Sequence, residues 1–110
     1  MTYSETLKKE IIECLRPLDP EQVVLFGSLA NGTAGKDSDI DLYVVTRDDF
    51  IPQNYQEKRE IVRKISRALM ALRMKVSLDL MVHTQQMSRK FYAMNSSFAK
   101  EIREKGIRLI

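Results

Sequence analysis

The stretch that decides the fold is VVLFGSLANGTAGKDSDIDLYVV, which occupies residues 23–45. It begins and ends with short apolar runs whose β-branched and aromatic content is typical of strands, and we predict strands over about 22–26 and 38–46. Between the runs lie turn-forming residues, namely Gly27-Ser28, Asn31-Gly32 and Gly35. The stretch therefore predicts a strand, a turn with a loop, and a second strand.

The second strand carries two acidic side chains, Asp39 and Asp41. Side chains two residues apart in a strand point to the same face, so these carboxylates start roughly 7 Å apart at the backbone. At that separation they can converge on one cation, and hard oxygen ligands of this kind suit Mg²⁺. We therefore predict a site for one or two Mg²⁺ ions that serves phosphoryl or nucleotidyl transfer.

The turn after the first strand has the features of an anion site. Gly27 allows the backbone to come close to a ligand, and Ser28 offers a hydroxyl and an amide to a phosphate. Asn31 and Lys36 are further candidates for phosphate contacts. A Gly-Ser pair or an Asp-x-Asp motif alone is a weak signal. The order of strand, Gly-Ser, ten residues and Asp-x-Asp in a second strand is much more specific.

The rest of the chain predicts helices and two short strands. Apolar stripes indicate a helix that ends near Leu15 and another over about 55–74. Residues 75–82 alternate as a third strand, and Thr84 is the predicted N-cap of a helix to about residue 94. A last helix over 98–105 precedes Gly106, where we expect a left-handed cap, and 107–110 predict a terminal strand. The order α-β-β-α-β-α-α predicts an α+β fold with a small mixed sheet flanked by helices.

Two polar residues near the third strand call for an explanation. Asp79 is the one charge inside that strand, and Asp is depleted from strands. It either faces solvent or joins Asp39 and Asp41, and the spacing does not decide between the two. His83 is a candidate general base, although a lone His before a helix cap is more often a surface residue.

Length and composition limit the class of protein. The chain has 110 residues and is 44% hydrophobic and 30% charged, which predicts one domain over residues 1–110. No apolar run approaches the roughly 20 residues that a membrane helix needs, and no signal peptide is apparent. Cys14 is the only cysteine, which excludes an internal disulfide and indicates a reducing cytoplasm.

Charge is unevenly distributed along the chain. Residues 1–56 contain 5 basic and 10 acidic side chains, whereas residues 57–110 contain 13 basic and 5 acidic ones, a balance of −5 against +8. A basic second half can mark a surface for nucleic acid or for an acidic partner. The solvated face of a helix explains it as well, and we favour that interpretation because no recognition motif accompanies the charge. Direct nucleic-acid binding is therefore open but not favoured.

The motifs of the central stretch resemble those of a known family. Gly27-Ser28, then Ala30-Asn31-Gly32, then Ser38-Asp39-Ile40-Asp41-Leu42 are similar to the signature of the polymerase-β-like nucleotidyltransferases. The length resembles the minimal, single-domain members that are often encoded beside a HEPN-domain protein. The resemblance implies a nucleotidyltransferase fold, with Gly27 and Ser28 on the triphosphate. It also implies that Asp39 and Asp41 bind Mg²⁺ and that Asp79 is the third carboxylate, as a base or metal ligand.

The resemblance also implies a reaction and a partner. An acceptor hydroxyl attacks the α-phosphorus of a nucleoside triphosphate, and pyrophosphate is released. Among minimal members the implied acceptor is a Tyr of a HEPN-domain ribonuclease toxin, ATP is the donor, AMP is transferred, and this chain is the antitoxin. Many members carry Arg where this chain has Leu29 and Asn31. Either phosphate affinity is lower here, or Lys36 or Arg47 takes over.

Two other functions agree with the same residues. The chain could be a binding antitoxin that masks its partner without catalysis, which the missing arginines favour. It could instead modify a small molecule or an RNA end, which the basic second half favours slightly. An oligomer is compatible with the sequence, and a membrane partner is not expected.

Overall fold

The two apolar runs of the central stretch pair with each other in the middle of the sheet. The computed structural model describes residues 3–27, 30 and 39–110. In these residues the elements run α1 (Tyr3–Leu15), a 3₁₀ turn (Arg16–Leu18), β1 (Gln22–Phe26), β2 (Ile40–Val45), α2 (Tyr55–Ala68), α3 (Met70–Arg73), β3 (Leu78–His83), α4 (Gln85–Ala93), α5 (Ser97–Lys105) and β4 (Ile107–Arg108). The prediction of an α+β fold with helices around a small sheet is confirmed.

The sheet is mixed and has the strand order β3-β2-β1-β4. β1 is antiparallel to both β2 and β4, whereas β2 and β3 are parallel. A parallel pair needs a long crossover, and α2 with α3 supplies it. The parallel pairing places the first residues of β2 beside the first residues of β3, which decides where the acidic side chains meet.

Side-chain alternation divides the sheet into two covered faces. The Leu42 face is fully apolar and packs against α1, α2 and α3, in a core whose enclosed members include Ile11, Leu15, Leu25, Leu42, Ile65, Leu69 and Leu72. The opposite face carries Tyr43, whose fully buried ring lies 5.4 Å from Phe91 between ring centroids. Tyr43, Val24, Val45 and Ile102 form a second core, so helices α4 and α5 cover the face of Asp41.

Two local predictions were wrong in detail. The helix predicted over 55–74 is broken at Leu69, whose backbone leaves the helical region with φ −96° and ψ 9°. The third strand begins at Leu78, because the amides of Lys75 and Val76 both donate to the Leu72 carbonyl and keep the chain turning. Thr84 does cap α4, accepting from the Met87 amide at 3.2 Å, as predicted.

Gly106 is not a left-handed cap. Its backbone is extended, with φ −69° and ψ 151°. A Cβ at this position would collide with the Ile102 carbonyl oxygen and with the Val24 side chain. Glycine is needed here because α5 approaches β1 closely, not because the backbone requires a positive φ.

No helix in the described ranges is long and apolar enough to cross a bilayer.

Candidate active site

Asp41 and Asp79 are neighbours across the parallel strands. The register pairs them directly, on strands that lie about 4.8 Å apart. Both project to the face covered by α4 and α5, and their carboxyls come within hydrogen-bonding reach of each other. Of the two alternatives that the sequence left open for Asp79, the structure therefore places it beside Asp41, with its side chain still exposed to solvent.

The Asp41 carboxyl lies in an unfavourable environment for a negative charge. Partial burial raises its pKa most, and the charges of Asp79 and Asp39 raise the pKa further. Glu101 of α5 adds a smaller effect in the same direction. Each salt bridge within the described ranges lies elsewhere, so none of them neutralises this cluster. We call Asp39, Asp41, Asp79 and Glu101 the acidic cluster.

Gly27 ends β1 immediately beside this cluster. Its φ of 76° is in the left-handed region, which favours glycine. A Cβ on Gly27 would collide with Oδ2 of Asp41. The sequence predicts that Gly27 brings the backbone close to a ligand, and the structure shows that its backbone is close to the Asp41 carboxylate. The turn and the acids therefore belong to one site.

The other predicted phosphate contacts are not described by the structure. Ser28, Asn31 and Lys36 lie outside residues 3–27, 30 and 39–110, as does Leu29. Their roles stay predictions.

Two residues considered for the site lie at the other end of the sheet. Arg47 follows β2 and forms salt bridges with Asp19 at 3.2 Å and with Glu21 at 2.7 Å. Asp41 precedes it by six residues along an extended strand, about 20 Å. Arg47 therefore does not replace a missing phosphate-binding arginine.

His83 belongs to the aromatic core and not to the acidic cluster. It is half-buried, its Nδ1 is hydrogen-bonded to the Tyr43 hydroxyl at 2.8 Å, and its ring meets that of Phe91 edge-on. It lies at the end of β3, four residues beyond Asp79, or about 13 Å along the strand. The expectation of a surface histidine was wrong, and His83 lies too far along the strand to contact the acidic cluster.

The burial of His83 predicts an acid-sensitive stability. His83 is the only histidine, and burial followed by the charge of Lys58 lowers its pKa below 6.5. His83 therefore binds a proton more tightly in the unfolded chain than in the folded one. The contribution of the neutral ring to the free energy of unfolding is complete above pH 6.5, and it is lost as the pH falls from there through the pKa of the folded state. Urea unfolding at about pH 7 and about pH 5.5 should show the decrease. The His83→Gln variant should lose most of it, and an unchanged decrease in that variant would contradict the assignment.

Glu101 is the member of the acidic cluster that the sequence does not reveal. Its place follows from the packing of Ala99 and Ile102, the buried residues of α5, against the sheet. Phe98 of the same helix packs edge-on against Phe26, with ring centroids 5.5 Å apart. No motif surrounds Glu101, so only the docking of α5 brings it to Asp41.

The carboxylate oxygens of the acidic cluster are ligands of the kind that Mg²⁺ prefers, although the protein alone does not complete a coordination shell. Within the described ranges no three His, Cys, Asp or Glu side chains are arranged so that they could hold a metal ion. Mg²⁺ is usually bound by one or two carboxylates, and substrate phosphates and water complete its shell. The adjacent carboxyls of Asp41 and Asp79 meet that requirement.

The repulsion in the acidic cluster predicts a stabilising substitution. Without Mg²⁺ and nucleotide, the Asp41→Asn variant should melt about 2–4 °C higher than the parent chain at neutral pH. The amide removes the negative charge of the Asp41 carboxyl, whose pKa is raised by burial and by the charges of Asp79 and Asp39. Calorimetry would measure this, with Asp48→Asn as the control because Asp48 is an exposed acid of the loop after β2. A lower melting temperature for Asp41→Asn would contradict the prediction.

Comparison with known proteins shows which family model and which solved structures this chain is similar to. The family model described as "Polymerase beta, Nucleotidyltransferase" matches residues 9–110. Among solved structures, a toxin-antitoxin complex with AMP-PNP is 25% identical, with a TM-score of 0.55 over 94% of this chain and 72% of that chain. A variant of the toxin-antitoxin MntA-HpeT, with two Asp-to-Glu substitutions, is 21% identical, with a TM-score of 0.52 over 94% and 71%. No curated protein matches.

Proposed function

The chain belongs to the polymerase β nucleotidyltransferase family, and we propose that it transfers AMP from ATP to a hydroxyl group of a partner protein. The observation that carries this proposal is the pairing of Asp41 with Asp79 beside the end of β1. A cluster of acids that raises the pKa of its own central member costs stability, and a binding partner that is a cation explains why such a cluster exists. This supports a metal-bound polyphosphate as the ligand of the site.

The transfer is a single displacement at phosphorus. The acceptor oxygen forms a bond to the α-phosphorus, the bond from that phosphorus to the bridging oxygen of the β-phosphate breaks, and pyrophosphate leaves with the electron pair. In this proposal Asp79 accepts the hydroxyl proton, because its exposed carboxylate is the member of the Asp41–Asp79 pair that an incoming protein can reach. Positioning and charge neutralisation supply most of the rate.

The same arrangement suggests which residues would bind the metal ions and the triphosphate of the nucleotide donor. Asp41 and Asp79 would hold one or two Mg²⁺ ions together with substrate phosphates and water, and Asp39, the other predicted ligand, would add its negative charge beside them. Bound there, Mg²⁺ would neutralise phosphate charge and stabilise the developing negative charge. Gly27, Ser28, Asn31 and Lys36 would contact the triphosphate. The Gly27 backbone supports this, since it fixes the end of β1 against the Asp41 carboxylate.

The partner is proposed from the similarity to toxin-antitoxin complexes. The solved complex with AMP-PNP, at 25% identity, supports an ATP-like donor and a protein partner. We propose that the partner is a HEPN-domain toxin, that this chain is its antitoxin, and that the pair works in the cytoplasm, which the lone Cys14 favours.

A second candidate function is a binding antitoxin that masks its partner. Leu29 and Asn31, which stand where many family members carry Arg, favour weak or unused nucleotide binding. Masking predicts that an Asp39→Asn, Asp41→Asn double variant still neutralises the partner in cells. Transfer to a small molecule or to an RNA end is the remaining alternative.

The test uses the protein purified from its own host with whatever co-purifies. Mg²⁺ and each α-labelled nucleoside triphosphate are added in turn, and protein, RNA and small molecules are then separated. Label on the companion protein supports the proposal and identifies the nucleotide. Label on RNA or on a small molecule overturns the protein acceptor, and no label despite a bound companion favours masking.

A further inference from the structure

We propose that the exposed face of α2 binds single-stranded RNA, separately from the transfer site and independently of the proposed reaction. The element is amphipathic: Ile65 is buried in the core of the Leu42 face, whereas five cations lie on exposed positions. These cations are Lys58, Arg59, Arg63, Lys64 and Arg67. Against Glu57 and Glu60 they leave α2 with a net charge of +3.

The arginines form one row. Tyr55, Arg59, Arg63 and Arg67 follow each other at intervals of four residues, which places them on one side of the helix with a rise of about 6 Å per step. None of the five cations forms a salt bridge in the described ranges. Their charge is therefore available to a ligand.

Two depressions between side chains lie along the row. One, of about 280 Å³, is lined by Tyr55, Gln56, Arg59, Glu60 and Arg63. The other, of about 550 Å³, is lined by Leu18, Glu60, Arg63, Lys64, Arg67 and Ala68. They share Arg63 and Glu60, so they adjoin each other along α2, and we call the two together the basic groove. A basic groove of this kind can follow a phosphate backbone.

The side chains in the groove favour nucleic acid over an acidic protein. Three of the four cations that line the groove are arginines, whose planar guanidinium binds phosphate through two parallel hydrogen bonds. Tyr55 is 77% exposed at one end and offers its ring for base stacking. The apolar floor is limited to Leu18 and Ala68, whereas a stable protein interface has an aromatic and aliphatic centre.

Gln56 favours RNA over DNA as the ligand. Its amide lies in the same depression as Tyr55 and carries both a donor and an acceptor. That combination suits the ribose 2′-hydroxyl, the group that distinguishes RNA from DNA. The groove thus accounts for much of the basic charge of the second half of the chain, which the transfer site does not use.

The experiment measures binding of a fluorescent 12-nucleotide poly(U) RNA without Mg²⁺ or nucleotide. The parent chain should show a slope of log affinity against log salt of about −3, which corresponds to four phosphate contacts. The Arg59→Gln, Arg63→Gln, Arg67→Gln triple variant should bind roughly 30-fold more weakly at low salt, with a slope of about −1. A matched triple variant with the same charge change, Lys9→Gln, Lys90→Gln, Lys105→Gln, should lose less than about threefold.

Two further variants keep the outcome interpretable if the triple variant is unstable. Tyr55→Ser removes only the exposed ring and should weaken binding by about fivefold or more. Glu60→Gln removes the acid shared by both depressions and should tighten binding. Four outcomes would each overturn the proposal. They are equal losses in the two triple variants, no effect of either single change, equal affinity for DNA of matching sequence, and equally effective competition by poly-glutamate.

Discussion

The Asp41→Asn variant is expected to lose nucleotidyl transfer by about a thousandfold or more, while it keeps its fold. The carboxylate lies at the centre of the acidic cluster, directly opposite Asp79 in the parallel register and against the Gly27 backbone. An amide supplies one weak oxygen ligand and no charge, so a metal-bound triphosphate would lose several kcal/mol of stabilisation. Incorporation of α-labelled nucleotide into the companion protein measures the loss.

The controls separate this effect from charge and from folding. Asp48→Asn makes the same change of charge on an exposed loop and should leave transfer unchanged. The Asp41→Asn protein should also melt higher than the parent chain without ligand, so a loss of activity cannot come from unfolding. Adding Mg²⁺ and ATP should raise the melting temperature of the parent chain and not that of Asp41→Asn. Full transfer by Asp41→Asn would refute the assigned site.

The sequence was sufficient to predict the elements that carry the site. Alternation in β2 correctly places Asp41 and Tyr43 on one face, because the period of a strand is a local property. The role of Asp79 could not be decided in this way. Whether a lone acid on β3 meets Asp41 depends on strand order and register, and these are set by the α2–α3 crossover and by core packing.

Two of the wrong predictions share one cause, which is a contact between distant parts of the chain. Gly106 looked like a helix cap, but its missing side chain is required by Val24, which lies on β1. His83 looked like a surface residue, but the hydroxyl of Tyr43 and the ring of Phe91 enclose it. Glu101 has no local signal at all. Local propensity cannot report a partner that is many residues away.

The Gly27→Ala variant is expected to reduce transfer about a hundredfold and to lower the free energy of unfolding by about 1–2 kcal/mol. The loss of stability follows from the φ of 76°, which costs alanine energy that glycine does not lose. The loss of activity follows from the new Cβ, which would collide with Oδ2 of Asp41 and push that carboxylate away from Asp79. Urea unfolding and label transfer measure the two effects.

Gly106→Ala provides the matched comparison. Its new Cβ would collide with the Ile102 carbonyl and with Val24, at a cost of about 1–3 kcal/mol, but at an ordinary φ and away from the acidic cluster. Both variants should therefore be destabilised, and only Gly27→Ala should need more Mg²⁺ to reach half of its maximal rate, because displacing Asp41 weakens the metal site. If the two variants lost activity in proportion to stability alone, with the same Mg²⁺ requirement, Gly27 would be a structural glycine and the contact with Asp41 would have no part in the reaction.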